Sequence, residues 1–254
     1  MMAPRSCDDG FDCTHDVCSR DRLRCDHVPD DALCPNTQLC SPKRGCDAFV
    51  YGVASDGHLY EVRVPSGGLV DLGPSAAALG DIALDSQGVL YATDSYVLYR
   101  VDRETSEATS VASILPLHLY NGLGTTNGRS LLATADVPQL FEIGTANGLS
   151  IPVAPLPSGY RASGDVTAAG SHVFVSATLS ACPATDSLVR MDPAAHSSSI
   201  VGEVGYCCVW GLATLGGRVY GLTCEGRILA IDTTTGSASE TARAALAFFG
   251  AAGR

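Results

Sequence analysis

The stretch VYGLTCEGRILAIDTTTG at residues 219–236 aligns without a gap on VYGVASDGHLYEVRVPSG at residues 50–67. In each, Val-Tyr-Gly opens a short apolar run, Gly226 or Gly57 marks a tight turn, and a second run ends in a turn closed by Gly236 or Gly67. Apolar and β-branched residues flanking a glycine turn read as a two-stranded hairpin. Looser copies recur at 90–107 and 131–147, and again at 173–196 with an insertion, so the chain holds five. Self-similarity at a fixed period signals a repeat architecture.

Each copy after the first is preceded by a short strand and a turn glycine. These are Asp81-Ile82-Ala83-Leu84 before Gly88, Gly122-Leu123-Gly124-Thr125 before Gly128, Asp165-Val166-Thr167 before Gly170, and Gly211-Leu212-Ala213-Thr214 before Gly217. The glycines lie 40, 42 and 47 residues apart, the spacing of a four-stranded propeller blade. The first copy lacks a leading strand, and the chain end supplies one: Phe249-Gly250-Ala251-Ala252-Gly253-Arg254 matches Trp210-Gly211-Leu212-Ala213 and its turn. The expected fold is all-β, a five-bladed β-propeller over residues 48–254 closed by the C-terminal strand. Closure of this kind removes exposed sheet edges.

Residues 1–47 have a different composition. Seven of the eleven cysteines lie between Cys7 and Cys46 with the spacing C-x5-C-x4-C-x6-C-x8-C-x5-C-x5-C, and few apolar residues accompany them. A segment this small cannot bury a core, so bridges among Cys7, Cys13, Cys18, Cys25, Cys34, Cys40 and Cys46 are expected to replace one. Disulfides persist in oxidising compartments, which predicts a secreted or surface-displayed protein. The start Met1-Met2-Ala3-Pro4-Arg5-Ser6-Cys7 has no basic stretch followed by an apolar one, so the natural N-terminus is expected upstream. Four further cysteines, Cys182, Cys207, Cys208 and Cys224, fall by blade geometry on one side of blades four and five. Two bridges are expected there, with a vicinal Cys207–Cys208 bond as the alternative, and the odd total leaves one thiol over.

The net charge is −11, with 6 basic against 9 acidic residues up to Asp47 and 10 against 18 beyond it. Neither part has the basic footprint that nucleic acid or an anionic membrane surface requires. No apolar run approaches the roughly 18 residues of a membrane-spanning helix. A monomer, or part of a longer chain, is expected.

Cys7-Asp8-Asp9-Gly10-Phe11-Asp12-Cys13-Thr14-His15-Asp16-Val17-Cys18, followed by Cys25-Asp26-His27, resembles the repeated CTDC-type cysteine-rich module of slime-mould extracellular and bacterial surface proteins. The resemblance covers about the first 28 residues and implies an extracellular structural or adhesive module. The later part resembles secreted bacterial propellers with loose G-L-A…G…L-Y-G…I-D-x-x-T-G blade repeats over about 205 residues. That resemblance implies an architecture and leaves activity open, because propellers host lactonases, glycosidases, lyases and pure binding platforms.

In a propeller the innermost strand starts on the face where blades connect, and the loop between the second and third strands returns to it. That places Asp81, Asn121, Asp165 and Trp210 near the central opening, with His118, Tyr120, Tyr160, Arg161, Tyr206 and Phe249 around it. Aromatics with convergent polar groups are what a sugar or small organic ligand site requires, though the same rings could wedge adjacent blades; the expected ligand of this face is a glycan, peptide or partner protein. Asp81 and Asp165 replace the glycine of three other blades and are read as solvated carboxylates at the channel mouth. The competing reading gives Asp81, Asn121 and Asp165 a metal and a hydrolase or lyase activity, and a third makes the chain a structural envelope or matrix component. No glutamate starts an inner strand, which weakens a two-carboxylate glycosidase. No cofactor is required, although Ca2+ is possible at the axis or through Asp8, Asp9, Asp12 and Asp16. Zinc on Cys13, His15 and Cys18 lacks the paired C-x2-C knuckles of structural sites. The leading expectation is a noncatalytic binding or adhesion protein using its blade-connection face.

Overall fold

The computed structural model describes residues 7–19, 24–126, 130–179 and 185–254. Gly128 and Cys182, both named above, lie outside the described residues.

The N-terminal part is two hairpins, β1 (Thr14–Ser19) with β2 (Arg24–Pro29) and β3 (Leu39–Ser41) with β4 (Gly45–Asp47). They are tied by the bridges Cys7–Cys25, Cys13–Cys40 and Cys34–Cys46. Cys18, expected in a bridge, carries a free and exposed thiol.

The remainder is five four-stranded antiparallel blades. Blade one holds β5 (Phe49–Ala54), β6 (His58–Arg63) and β7 (Leu69–Pro74). Blade two is β8 (Asp81–Leu84), β9 (Leu90–Thr93), β10 (Val97–Val101) and β11 (Ala108–Ser113). Blade three is β12 (Tyr120–Thr126), β13 (Ser130–Ala135), β14 (Gln139–Ile143) and β15 (Ser150–Pro155). Blade four is β16 (Arg161–Ala169), β17 (His172–Thr178), β18 (Ser187–Asp192) and β19 (Ser197–Glu203). Blade five is β20 (Val209–Leu215), β21 (Arg218–Thr223), β22 (Arg227–Ile231) and β23 (Ala238–Arg243). The last strand, β24 (Phe248–Ala252), becomes the inner strand of blade one by pairing Gly250 with Val53 and Ala252 with Tyr51.

Burial follows strand position. The second strands β5, β13, β17 and β21 are buried along almost their whole length, whereas the outer strands β11, β19 and β23 are mostly open. Every pairing of third with fourth strand carries a register shift. A bulge adds right-handed twist, and placed there it rotates each outer strand away from the axis.

The D-x-x-T-G turns that end the repeat have one geometry. Asp102 Oδ1 accepts from Glu104 N and Thr105 N, and Asp232 Oδ1 accepts from Thr234 N and Thr235 N. The turn closes on a left-handed residue, φ 79° at Gly67, 62° at Ser106, 68° at Gly148, 48° at His196 and 81° at Gly236. These turns bear on the outer strand of the preceding blade: Ala238 N donates to Val204 O and Leu115 N to Gly148 O.

The N-terminal hairpins sit on the face opposite the blade connections. Arg103 Nη1 and Nη2 clasp Asp31 at 3.0 and 2.7 Å, Nε donates to the Tyr51 hydroxyl at 2.7 Å, and Nη2 also donates to Cys40 O at 2.9 Å. Both partners of this ion pair are buried. Leu39 enters the blade-one core beside Phe49, Ser41 Oγ donates to the buried Glu61, and Arg254 reaches Asp31 O. Thr37 lies against Gly216 in the first turn of blade five.

Candidate functional site

The inner strands β8, β12, β16, β20 and β24 contact one another in a ring around the axis. An inner strand pairs with only one neighbour, so the N–H groups on its other edge need partners from elsewhere. Two side chains supply them. Asp81 Oδ1 accepts from Ile82 N at 2.7 Å and Oδ2 from Leu123 N at 2.7 Å. Asp165 Oδ1 accepts from Val166 N at 2.6 Å, and its Oδ2 from Leu212 N at 2.7 Å and Ala251 N at 3.4 Å. The donors occupy the equivalent position in all five inner strands. Gly250 must lack a Cβ, which would collide with the Asp81 carboxyl.

Both carboxyls are fully buried. Burial pushes both pKa values well above the ordinary carboxylate range, and for Asp81 the charge of Asp165 pushes in the same direction. Each carboxyl is thereby pushed toward its protonated form, and the two are linked by a side-chain hydrogen bond. This corrects the expectation of solvated carboxylates at a channel mouth. A five-strand ring is narrow, and the axial space further along the inner strands, lined by Leu84, Leu123, Val166, Leu212 and Ala251, measures about 10 Å³, room for one water at most. Converging N–H donors suit negative charge, so the pair does not offer the open oxygens that Ca2+ needs. Asn121 stands apart from it: exposed, its Oδ1 accepts from Thr134 Oγ1 at 3.2 Å.

The other candidates are distributed over the blade-connection face. Pairing skips Asn121 between Tyr120 and Gly122, Trp210 between Val209 and Gly211, and Phe249 between Phe248 and Gly250. A bulge re-aims the residue it frees. Trp210 and Phe249 meet with ring centroids 5.9 Å apart, and Phe249 is exposed while Trp210 is half-buried. Arg161 is exposed, and Tyr160, Tyr206 and His118 are half-buried. Tyr160 packs on the core that blades three and four share and Tyr206 on the core that blades four and five share, and the Arg227 guanidinium lies over the Tyr206 ring at 5.6 Å. His118 rests on Tyr120 and Phe141, with Nδ1 3.6 Å from Asp136. Tyr120 differs from expectation: it is 1 % exposed, with its hydroxyl 2.6 Å from Ser150 Oγ and donating to Pro116 O. It is a packing residue because its ring fills the core that blades two and three share.

Sequence reasoning missed two features of this face. Asp186 is buried, and its Oδ2 accepts from Ser163 Oγ and Val209 N, both at 2.8 Å, tying blade four to blade five. Burial raises its pKa, and nothing in the residues around it marks this role. The second is a set of exposed leucines, Leu117 and Leu119 between blades two and three and Leu179 in blade four. The alternation Leu115-Pro116-Leu117-His118-Leu119 was their available signal.

The sulfurs of Cys207 and Cys208 are 3.8 Å apart, far beyond a bond of about 2.05 Å, so these two are not joined to each other. Among the described residues three groups have metal-ligand spacing. Cys7, Cys18 and Cys25, and likewise Cys13, Cys34 and Cys40, consist mainly of cysteines already in bridges, which removes zinc on Cys13. The third is Asp9, Asp16 and His27.

No protein-family model matches the chain. No curated protein matches it. Among solved structures, a chain in the crystal structure of a nidogen/laminin complex aligns with a TM-score of 0.51 and 13 % identity, over 81 % of this chain and 84 % of that one. At that identity the likeness shows the fold alone. In all, 557 solved chains match, too many for the architecture to specify an activity.

Proposed function

We propose that the protein is a secreted or surface-displayed, noncatalytic binding protein whose blade-connection face docks a partner protein. The observation that carries this reading is the exposure of large apolar side chains there: Tyr96 46 %, Leu117 64 %, Leu119 48 %, Leu179 63 % and Phe249 38 %. Scattered exposed leucines need no explanation, but several on one face beside an aromatic pair are what a partner would cover. The opposite face is partly occupied by the N-terminal hairpins. Clefts of about 700 Å³, beside His172 and Arg190, and about 460 Å³, beside Thr125 and Arg254, also lie on that opposite side. A small sugar would favour such concavities, so the apolar face fits a protein better. That the neighbour of known structure sits in a complex of two proteins, and that residues 7–28 resemble a CTDC-type adhesive module, both support the reading. The three disulfides support the compartment, and among the described residues no helix is long and apolar enough to cross a membrane.

The test is binding of the purified chain to an array of secreted ectodomains and matrix proteins, with a glycan array in parallel. A protein hit weakened at least tenfold by Leu117→Asp and by Trp210→Ala supports the reading. Hits confined to glycans, or indifferent to both changes, or no hit on either array, overturn it.

A further inference from the structure

Asp9, Asp16 and His27 gather beside the β1–β2 hairpin with one oxygen of each carboxylate and the ring Nδ1 within 4.8 Å of one another. His27 Nδ1 is 2.7 Å from Asp16 Oδ1 and 3.4 Å from Asp9 Oδ2. A tetrahedral ion with bonds of 2.0–2.1 Å sets its ligands about 3.3 Å apart, so a small movement of Asp16 makes room for one.

The carboxylates are oriented from behind. Asp9 Oδ1 accepts from Phe11 N at 2.9 Å and Thr14 Oγ1 at 2.8 Å, and Asp16 Oδ2 accepts from Asp9 N at 3.2 Å. Each therefore has its second oxygen turned toward the imidazole, as outer-shell donors turn metal ligands. Asp9 Oδ2 is the independent observation: it is a solvent-excluded atom without a hydrogen-bond partner, because the His27 ring nitrogen 3.4 Å away makes its hydrogen bond to Asp16 Oδ1 instead. A buried carboxylate oxygen in that state calls for a cation or an unseen donor. His27 also borders a cleft of about 510 Å³ shared with Glu104, and Glu104 Oε2 accepts from the His27 amide at 3.4 Å, so the site opens to solvent.

We propose that Asp9, Asp16 and His27 form a binding site for a zinc-type divalent ion, held by Asp9 Oδ2, Asp16 Oδ1 and His27 Nδ1 with water completing the shell. One imidazole nitrogen and two carboxylates suit a borderline ion such as Zn2+. Ca2+ takes six to eight oxygens and has no use for the ring nitrogen. Binding displaces the proton on His27 Nδ1 to solvent, and the ion fastens the loop at Asp9 to the hairpin. Asp8 and Asp12, which the sequence offered as calcium ligands beside Asp9 and Asp16, are not members of this cluster.

The test is calorimetric titration of the intact oxidised chain with Zn2+ and, separately, Ca2+, together with the visible spectrum of the Co2+ form. One Zn2+ per chain is expected, bound at least tenfold more tightly than Ca2+, and weakened at least tenfold by Asp9→Asn and by His27→Gln. Thr14→Val should weaken it about tenfold, the usual effect of losing an outer-shell partner. Asp9→Asn keeps the carbonyl that Phe11 and Thr14 hold and alters only the orphan oxygen, so it carries the test even if His27→Gln disturbs the hairpin. Unchanged Zn2+ affinity and an unchanged Co2+ spectrum in Asp9→Asn would overturn the site, as would tighter binding of Ca2+ than of Zn2+ in the parent chain.

Discussion

Asp81 shows how one residue type changes meaning with its surroundings. A protonated carboxyl that is buried in the native state and ionises on unfolding ties stability to pH. Its folded pKa is raised, so above the unfolded value the native state binds the extra proton, and stability falls as pH rises, until the folded pKa is passed. The slope from one proton is about 1.4 kcal/mol per pH unit. Asp81→Asn should lose one N–H acceptance at a fixed cost and remove Asp81's share of that slope. Melting curves of parent and variant from pH 4.5 to 8 should therefore converge or cross in favour of the variant as pH rises, and a constant difference across the range would contradict the shared proton. Ser106 gives a second residue-scale case. It holds φ 62° where blades one, three and five have glycine, is fully buried, and its hydroxyl has no hydrogen-bond partner. Ser106→Gly should stabilise by about 1 kcal/mol, since it relieves left-handed strain and an unmet donor at some cost in chain entropy. His196→Gly should not, because that ring's Nδ1–H donates to Val153 O at 2.8 Å; chemical denaturation of both variants checks the contrast.

At the scale of elements, the repeats were legible because each hairpin keeps its apolar residues, turn glycine and closing Asp in one order. Even the pairing of β24 with β5 was readable, since Phe249 to Gly253 carry the inner-strand pattern. Deleting residues 248–254 should leave β5 an open edge and the five N–H positions one strand short. Loss of a cooperative melt is expected, and a melt equal to that of the full chain would refute closure at this strand. What could not be read were bulges and docking. A bulge depends on which residue the ladder omits, so Asn121, Trp210 and Phe249 looked like ordinary strand starts. Nothing in the spacing of Asp31 and Arg103 links the two units, yet they form the buried pair that fastens the N-terminal hairpins to blade two. Asp31→Ala leaves Arg103 buried without its anion, and a loss of about 3–5 kcal/mol is expected in urea unfolding. A loss below about 1 kcal/mol would mean that water replaces the carboxylate and that docking rests on Leu39 and Ser41.

At the scale of the whole molecule, the two faces of the ring have different roles. The turn face receives the disulfide-bonded hairpins, the axis is closed by a proton-sharing carboxyl pair, and the blade-connection face remains as the aromatic and apolar surface. The sequence put Asp81, Asn121, Asp165 and Trp210 on inner strands, where they lie, but it could not tell that a five-strand ring buries Asp81 and Asp165 completely. The most direct measurement is hydrogen–deuterium exchange of the chain with and without the partner protein identified on the array. The account predicts slowed exchange around residues 94–97, 115–121, 206–211 and 248–250, with the turns at 85–88 and 170–172 unchanged. Protection confined to those turns, or to the cleft beside His172 and Arg190, would contradict it.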